Sequence, residues 1–247
     1  TERIKLLLAV RTGEVVAPQL ARQISTLQDI SAGRLTINAI SSDIPGQSLP
    51  SEARYRRTTE YFGAVKSLLN TGRVDIDGEF VQLHIDAPRV SRNQASLGFG
   101  APPIYFGGLS SEARECAAHI ADVYLMWPDI TANVASVRAD VESRAAGVGR
   151  TMRYGWRSHV VVRETEAEAR EAARLLLSRL DDETGAAIRA KSLDSKSAGV
   201  TRQSELRDSS NGWQNPSTDR RTILPRVPTR LPSASSCGDG RRCGWWH

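Results

Sequence analysis

The chain has 247 residues, 40% hydrophobic and 25% charged, with 33 basic against 28 acidic side chains and a net charge of +5. No stretch approaches the ~18 apolar residues of a membrane span, no basic-then-apolar leader opens the sequence, and Cys116, Cys237 and Cys243 are too scattered for a disulfide framework or a zinc site. The basic excess does not read as nucleic-acid binding, because Arg mixes with Glu along helices, as from Glu168 to Arg174, in the pattern of a solvated face. The cytosol is the default compartment, with no metal expected.

Ile4 to Val10 is a near-continuous apolar run, the mark of a strand buried on both faces. Pro18 to Ile30 reads as a helix with Leu20, Ile24 and Leu27 on one stripe, closed by Gly33. Leu35 to Ile40 is the next buried strand, and Ser51 to Leu69 a long amphipathic helix. Arg73 to Ile76 and Phe80 to Ile85, joined by Asp77-Gly78, predict a hairpin with a type I′ turn.

Then come strand Ile104–Phe106, a helix to His119, strand Val123–Met126, helix Ile130–Ala146, strand Gly155–Val162 and helix Glu166–Leu180. This alternation predicts a parallel α/β sheet wrapped by helices. Five strand-helix units suit an open doubly wound sheet, or part of a (β/α)₈ barrel needing three more. The residues alone weigh these two equally.

After Asp182 the alternation ends. Residues 190–210 are polar without a sustained period, and Pro216, Pro225, Pro228 and Pro232 would break any later helix or central strand. The expectation is one domain over residues 1–185 and a flexible or disordered segment over 186–247.

The most informative stretch runs from Pro102 to Glu112. A short strand stops at Gly107-Gly108, and Ser110 or Ser111 caps a helix. Glycines allow a sharp turn and leave no Cβ in the way of an incoming group. The helix N-terminus offers unpaired N–H donors and the positive end of its dipole, which suit a phosphate.

Several segments, in order, resemble the bacterial luciferase-like flavin monooxygenases, and most closely the FMNH₂-dependent alkanesulfonate monooxygenases. Ala21-Arg22-Gln23, Thr26-Leu27 and Ser31-Ala32-Gly33-Arg34-Leu35 are similar to one signature of that family. Ile37 to Asp43, Arg54-Tyr55 and Glu60 to Phe62 are similar to others. Tyr105-Phe106-Gly107-Gly108 with Ser110 looks like the phosphate loop, and Asp122 to Leu125 with Trp127 like the strand after it. Gly155-Trp156-Arg157-Ser158-His159-Val160-Val161-Val162-Arg163-Glu164-Thr165 is the closest match, continued by Leu180 to Thr184. The resemblance covers residues 1 to 185. One departure stands out: Ser51 and Ala53 replace the His and Glu of a His-x-Glu-Arg-Tyr pattern.

The resemblance implies a partial TIM (β/α)₈ barrel made of strands three to seven. The sequence after Trp213 departs from the family and is read as a frame-shifted segment. The implied cofactor is reduced FMN, with O₂ as co-substrate, delivered by a separate NAD(P)H-dependent flavin reductase. The implied reaction desulfonates an alkanesulfonate to aldehyde and sulfite through a C4a-(hydro)peroxyflavin, in a cytoplasmic homo-oligomer. Asn38, Ser41, Ser42, Tyr55, Gly107, Gly108, Ser110 and Ser111 would bind the cofactor. Trp127 would wall the pocket. Arg157 would meet the sulfonate or the peroxide and His159 would move protons, the two alternating on one strand so that both face the lumen. An F420-dependent oxidoreductase of the same superfamily and an inactive flavin-binding remnant are the alternatives. A basic interaction module in the Arg-rich tail is a weaker third.

Overall fold

The computed structural model describes residues 2–44, 46–86, 100–178, 181–191 and 197–209. Five parallel strands form one sheet: β1 (Leu6–Arg11), β2 (Leu35–Ile40), β5 (Ile104–Phe106), β6 (Val123–Met126) and β7 (Arg153–Trp156), in that spatial order. The antiparallel pair β3 (Arg73–Asp77) and β4 (Gln82–Asp86) stands apart from it. Helices α1 (Ala17–Ile30), α2 (Ser51–Thr71), α3 (Ser111–Ile120), α4 (Thr131–Gly147), α5 (Glu166–Leu177), α6 (Asp182–Lys191) and α7 (Ala198–Ser209) complete the described elements.

Strand order decides between the two architectures left open by the sequence. A doubly wound sheet reverses its order once and carries helices on both faces. Here spatial order follows chain order without reversal, and consecutive helices pack side by side, α1 on α2, α2 on α3 and α3 on α4. Right-handed crossovers between neighbouring parallel strands place every helix on one side. The result is an arc of a (β/α)₈ barrel.

The core lies between that arc and its helices. Leu20 and Ile24 of α1, Phe62, Val65 and Leu68 of α2, and Ile37, Ile104, Phe106 and Tyr124 of the sheet are buried there. Successive strand residues point to opposite faces, so the half-buried Asn38, paired in register with Tyr105, lies on the inner face of the arc. α2 ends at Gly72, whose φ of +76° is a left-handed cap conformation that a Cβ would strain.

Five expectations need correction. β1 starts at Leu6, not Ile4, and is not buried on both faces: Leu6 and Leu7 are exposed, because among the described residues β1 pairs only with β2. The strand expected over Gly155–Val162 stops at Trp156, leaving residues 157–163 as irregular chain at the C-terminal end of β7. β7 also has a single sheet neighbour among the described residues, so nothing on its far side extends the ladder.

The hairpin turn is not type I′, which would need positive φ at Asp77 and Gly78; neither has it. Four residues link the strands instead, and the Glu60 carboxylate collects the N–H groups of Glu79 (3.1 Å), Phe80 (2.7 Å) and Val81 (3.0 Å). α5 ends at Leu177 rather than Leu180.

Finally, α6 runs past residue 185, and α7 lies inside the segment expected to lack structure. α7 has almost no apolar face, and polar bonds hold it: Arg202 to Asp129 and Gln203 Nε2 to the Pro128 carbonyl. The remaining tail, with its four prolines, Cys237 and Cys243, falls outside the described residues. Among those described, no helix is long and apolar enough to cross a membrane.

Candidate active site at the C-terminal ends of the strands

Every candidate residue follows the C-terminal end of a strand or lines the helix beside it. In β/α architectures this is the end where loops converge on ligands.

The turn after β5 holds the residues expected to meet a phosphate. Ser110, not Ser111, caps α3: the Ala113 N–H donates to Ser110 Oγ at 3.2 Å. The Ser110 hydroxyl is in turn bonded to the Glu112 carboxylate. Ser111 is exposed, and its Oγ accepts from Arg144 Nη2 at 3.2 Å. It is therefore engaged with α4 rather than with the turn. The carboxyl of Glu112 is held below its ordinary range by its own backbone N–H and then by Ser110. The end of α3 already favours negative charge.

The glycines serve a different purpose from the one expected. A Cβ on Gly107 would run into the Leu125 carbonyl, and one on Gly108 would lie 2.6 Å from Ala113 Cβ. Their missing side chains let the turn press against β6 and α3. The same Cβ position on Gly108 is 3.6 Å from the Tyr55 hydroxyl, so Tyr55 lies beside this turn. Its ring meets Phe106 edge-on at 6.3 Å.

Three arginines on the helices that flank the strand ends are partly buried: Arg57 lies by Gly13 and Gln47, Arg54 by Asp43 and Arg114 by Asp140. Arg54 Nε, Arg57 Nε and Nη2, and Arg114 Nε are buried without a hydrogen-bond acceptor. Arg57 is 9% exposed, with Nη1 on Gln47 Oε1 at 3.3 Å. Each guanidinium nonetheless has a partner, Arg54 and Arg114 a carboxylate (Asp43 at 3.9 Å and Asp140 at 2.9 Å), so only single N–H groups remain unsatisfied. The turn and its surroundings fit the phosphate of a flavin nucleotide. The open cleft of about 430 Å³ between α2 and α3 does not, since Glu52, Glu60, Glu112 and Glu115 line it. Cys116 also lines this cleft, with its thiol pushed up to about 12 by burial.

At the end of β2, Ser42 is buried and its Oγ accepts from Arg11 Nε at 3.1 Å. Arg11 in turn holds Glu14 at 2.8 Å. Ser41 is half-buried beside it, and Asn38 sits one turn of the pleat below. These three share one end of the sheet with the turn after β5.

The third group lies after β6 and β7. The Arg157 N–H donates to the Met126 carbonyl at 2.9 Å, and its guanidinium sits over Trp127, 5.7 Å from the ring centroid. Both side chains are exposed. Structure thus brings Arg157 and Trp127 together, whereas the expected strand pairing of Arg157 with His159 is absent: His159 lies exposed, beyond the end of β7.

Sequence reasoning missed two features here. Asp129, two residues past Trp127, is buried and accepts from Arg202 at 2.8 and 2.9 Å, from the Ile130 N–H at 2.7 Å and from Asn133. Burial pushes its carboxyl up, but these donors outweigh that and hold it below its ordinary value. The other is Tyr124, whose hydroxyl donates to the Gly108 carbonyl. The only sequence signal for either was its position near a strand end.

Comparison with known proteins follows this geometry. The family described as luciferase-like monooxygenase matches residues 1–230, well past residue 185, where the sequence resemblance was expected to stop. A sulfoquinovose monooxygenase of Novosphingobium aromaticivorans is 53% identical over 217 residues, covering 85% of this chain and 59% of that protein. One from Agrobacterium fabrum is 42% identical over 208 residues, covering 84% and 54%. The chain thus spans a little over half the length of these relatives.

Among solved structures, EDTA monooxygenase from Chelativorans sp. BNC1 is similar with a TM-score of 0.61 at 18% identity, over 77% of this chain and 50% of that one. The coenzyme F420-dependent tetrahydromethanopterin reductase of Methanopyrus kandleri gives 0.58 at 19% identity, over 72% and 56%. At such identities these two speak to the fold alone.

Proposed function

The chain belongs to the luciferase-like monooxygenase family, and from that premise we propose that it binds reduced FMN and takes part in oxidative desulfonation of a sulfonate of the sulfoquinovose type. The observation that carries the substrate class is the 53% identity to a sulfoquinovose monooxygenase. Sulfoquinovose, a sugar sulfonate, is the member of the sulfonate class that this identity favours, where the sequence alone implied an alkanesulfonate.

A bound reduced flavin supplies the electrons that activate O₂. The chain's own residues bind and orient. The N–H groups at the start of α3, the Ser110 hydroxyl and the Tyr55 hydroxyl take the phosphate. Asn38, Ser41 and Ser42 hydrogen-bond the polar edge of the cofactor from the end of β2. Arg157 pairs with the sulfonate oxygens, its planar fork matching two of them at once. Trp127 holds that guanidinium from one face and shields it from water. His159, one residue beyond Ser158 on the same irregular segment, moves a proton when that segment orders over the substrate. A separate NAD(P)H-dependent reductase delivers the flavin.

The test is sulfite release from sulfoquinovose and from octanesulfonate, with FMN, a flavin reductase and NADH. Release from sulfoquinovose in preference to octanesulfonate supports the reading, and release from neither overturns the desulfonation reading. A second reading, hydride transfer with F420, is the alternative that the sequence resemblance implied. Binding of F420 in preference to FMN would select it.

A further inference from the structure

Tyr124 is fully buried in the core of β6, and the chemistry above makes no use of it. Its hydroxyl donates to the Gly108 carbonyl, sixteen residues earlier in the chain. Burial pushes the phenol up to about 12, so it remains a donor at any working pH.

A buried phenol needs a partner, and here the identity of the partner has a geometric effect. The Gly108 carbonyl and the Leu109 N–H belong to one planar peptide unit. No peptide bond among the described residues is cis, so these two groups point in opposite directions. Drawing the carbonyl toward the Tyr124 hydroxyl therefore turns the Leu109 N–H to the opposite side of the peptide plane, away from that hydroxyl. The unit cannot rock freely, because Gly107 presses on the Leu125 carbonyl and Gly108 on Ala113.

We propose that Tyr124 is a positioning residue of the turn after β5: its hydrogen bond to Gly108 aims the Leu109 N–H at the cofactor's phosphoryl group and so sets the preference for a phosphorylated flavin. This rests on the phosphate reading of the turn given above. Tyr124 touches neither cofactor nor substrate. Its contribution concerns the phosphoryl group alone and leaves the isoalloxazine ring unaffected.

The experiment measures the Kd of reduced FMN and of reduced riboflavin, anaerobically, for the full chain and for Tyr124→Phe. The wild-type chain prefers FMN. Tyr124→Phe lowers that preference by about tenfold, the scale of one charge-assisted hydrogen bond, while riboflavin affinity stays within about twofold. Gly108→Ala, which keeps the hydroxyl but displaces the carbonyl against Ala113, lowers the preference in the same way.

An unchanged preference in Tyr124→Phe, or equal losses for both flavins, makes Tyr124 a core residue only and overturns the proposal. If Tyr124→Phe does not unfold cooperatively, Gly108→Ala carries the test, and an unchanged preference there overturns it. A wild-type chain with no preference for FMN defeats the phosphate reading itself, and this proposal with it.

Discussion

Arg202 grips Asp129 with two hydrogen bonds, at 2.8 and 2.9 Å, and thereby fastens α7 to the end of β6 two residues beyond Trp127. α7 lacks an apolar face, so this pair and the Gln203 bond to Pro128 hold it in place. Asp129→Asn should release α7 at neutral pH, seen as faster amide exchange over residues 198–209 with the sheet unchanged. The Asp129 carboxyl is held below its ordinary value, so its contribution is present above that value and lost as pH falls through the lower, folded one. In the wild type, exchange in α7 should therefore rise only in acid, below the ordinary carboxylate range.

The Glu60 carboxylate is the second fastening. It receives three backbone N–H groups of the β3–β4 link. Glu60→Ala should cost about 2–4 kcal/mol, measured by urea unfolding, and Glu60→Gln about half of that. Gly78→Ala should destabilise as well, since its Cβ would meet the Glu60 carboxylate.

His84 bridges two carboxylates, Asp75 at 2.5 Å and Asp77 at 3.1 Å. The Asp75 hydrogen bond, then the Asp77 one, raises its pKa above the ordinary histidine value. The stabilisation of the hairpin is complete below about 6.5 and is lost as pH rises through the higher, folded value. An NMR titration should show His84 titrating late. Asp75→Asn should bring it down more than Asp77→Asn.

Ser110 has two roles that separate experimentally. As the cap of α3 it contributes about 1 kcal/mol, so Ser110→Ala should lower thermal stability modestly. As a phosphate donor it should also cost about tenfold in FMN affinity. Ser110→Asp would keep the cap and repel the phosphate. Stability retained with FMN binding lost is the expected result.

Arg157→Lys keeps the charge but removes the planar fork and its stacking on Trp127. The KM for the sulfonate should rise about tenfold or more, with FMN binding unaffected. Steady-state kinetics of the reductase-coupled reaction checks this.

β2 and the serine-capped turn before α3 were legible because their cause is local. Leu35, Ile37 and Ala39 alternate along β2 as a buried strand face would, and a serine after a glycine pair is a local helix-cap signal. The end of β7 misled because Val160, Val161 and Val162 form a β-branched run as a strand would, yet Val160 and Val162 are exposed and no described neighbour pairs with them. Whether such a run becomes a strand depends on a partner, which periodicity does not report. α7 was missed for the opposite reason. Its attachment uses Arg202 and Gln203 rather than an apolar stripe, and the groups receiving them lie more than seventy residues away. The Tyr124 bond to Gly108 is likewise a product of parallel neighbours, β5 and β6, and no pattern within either strand announces it.

The unreversed strand order carries a kinetic consequence. Tyr105 meets Val123 and Val123 meets Arg153 across short stretches of chain, but the seam between β2 and β5 joins Ile37 to Ile104 around α2 and the hairpin. Loop closure there has the largest entropic cost, with only two registered pairs to offset it. The block from β5 to β7 therefore assembles on its own schedule and docks with β1, α1 and β2 last. In the native state this seam is where the sheet first parts, on a line running between Asn38 and the phosphate turn.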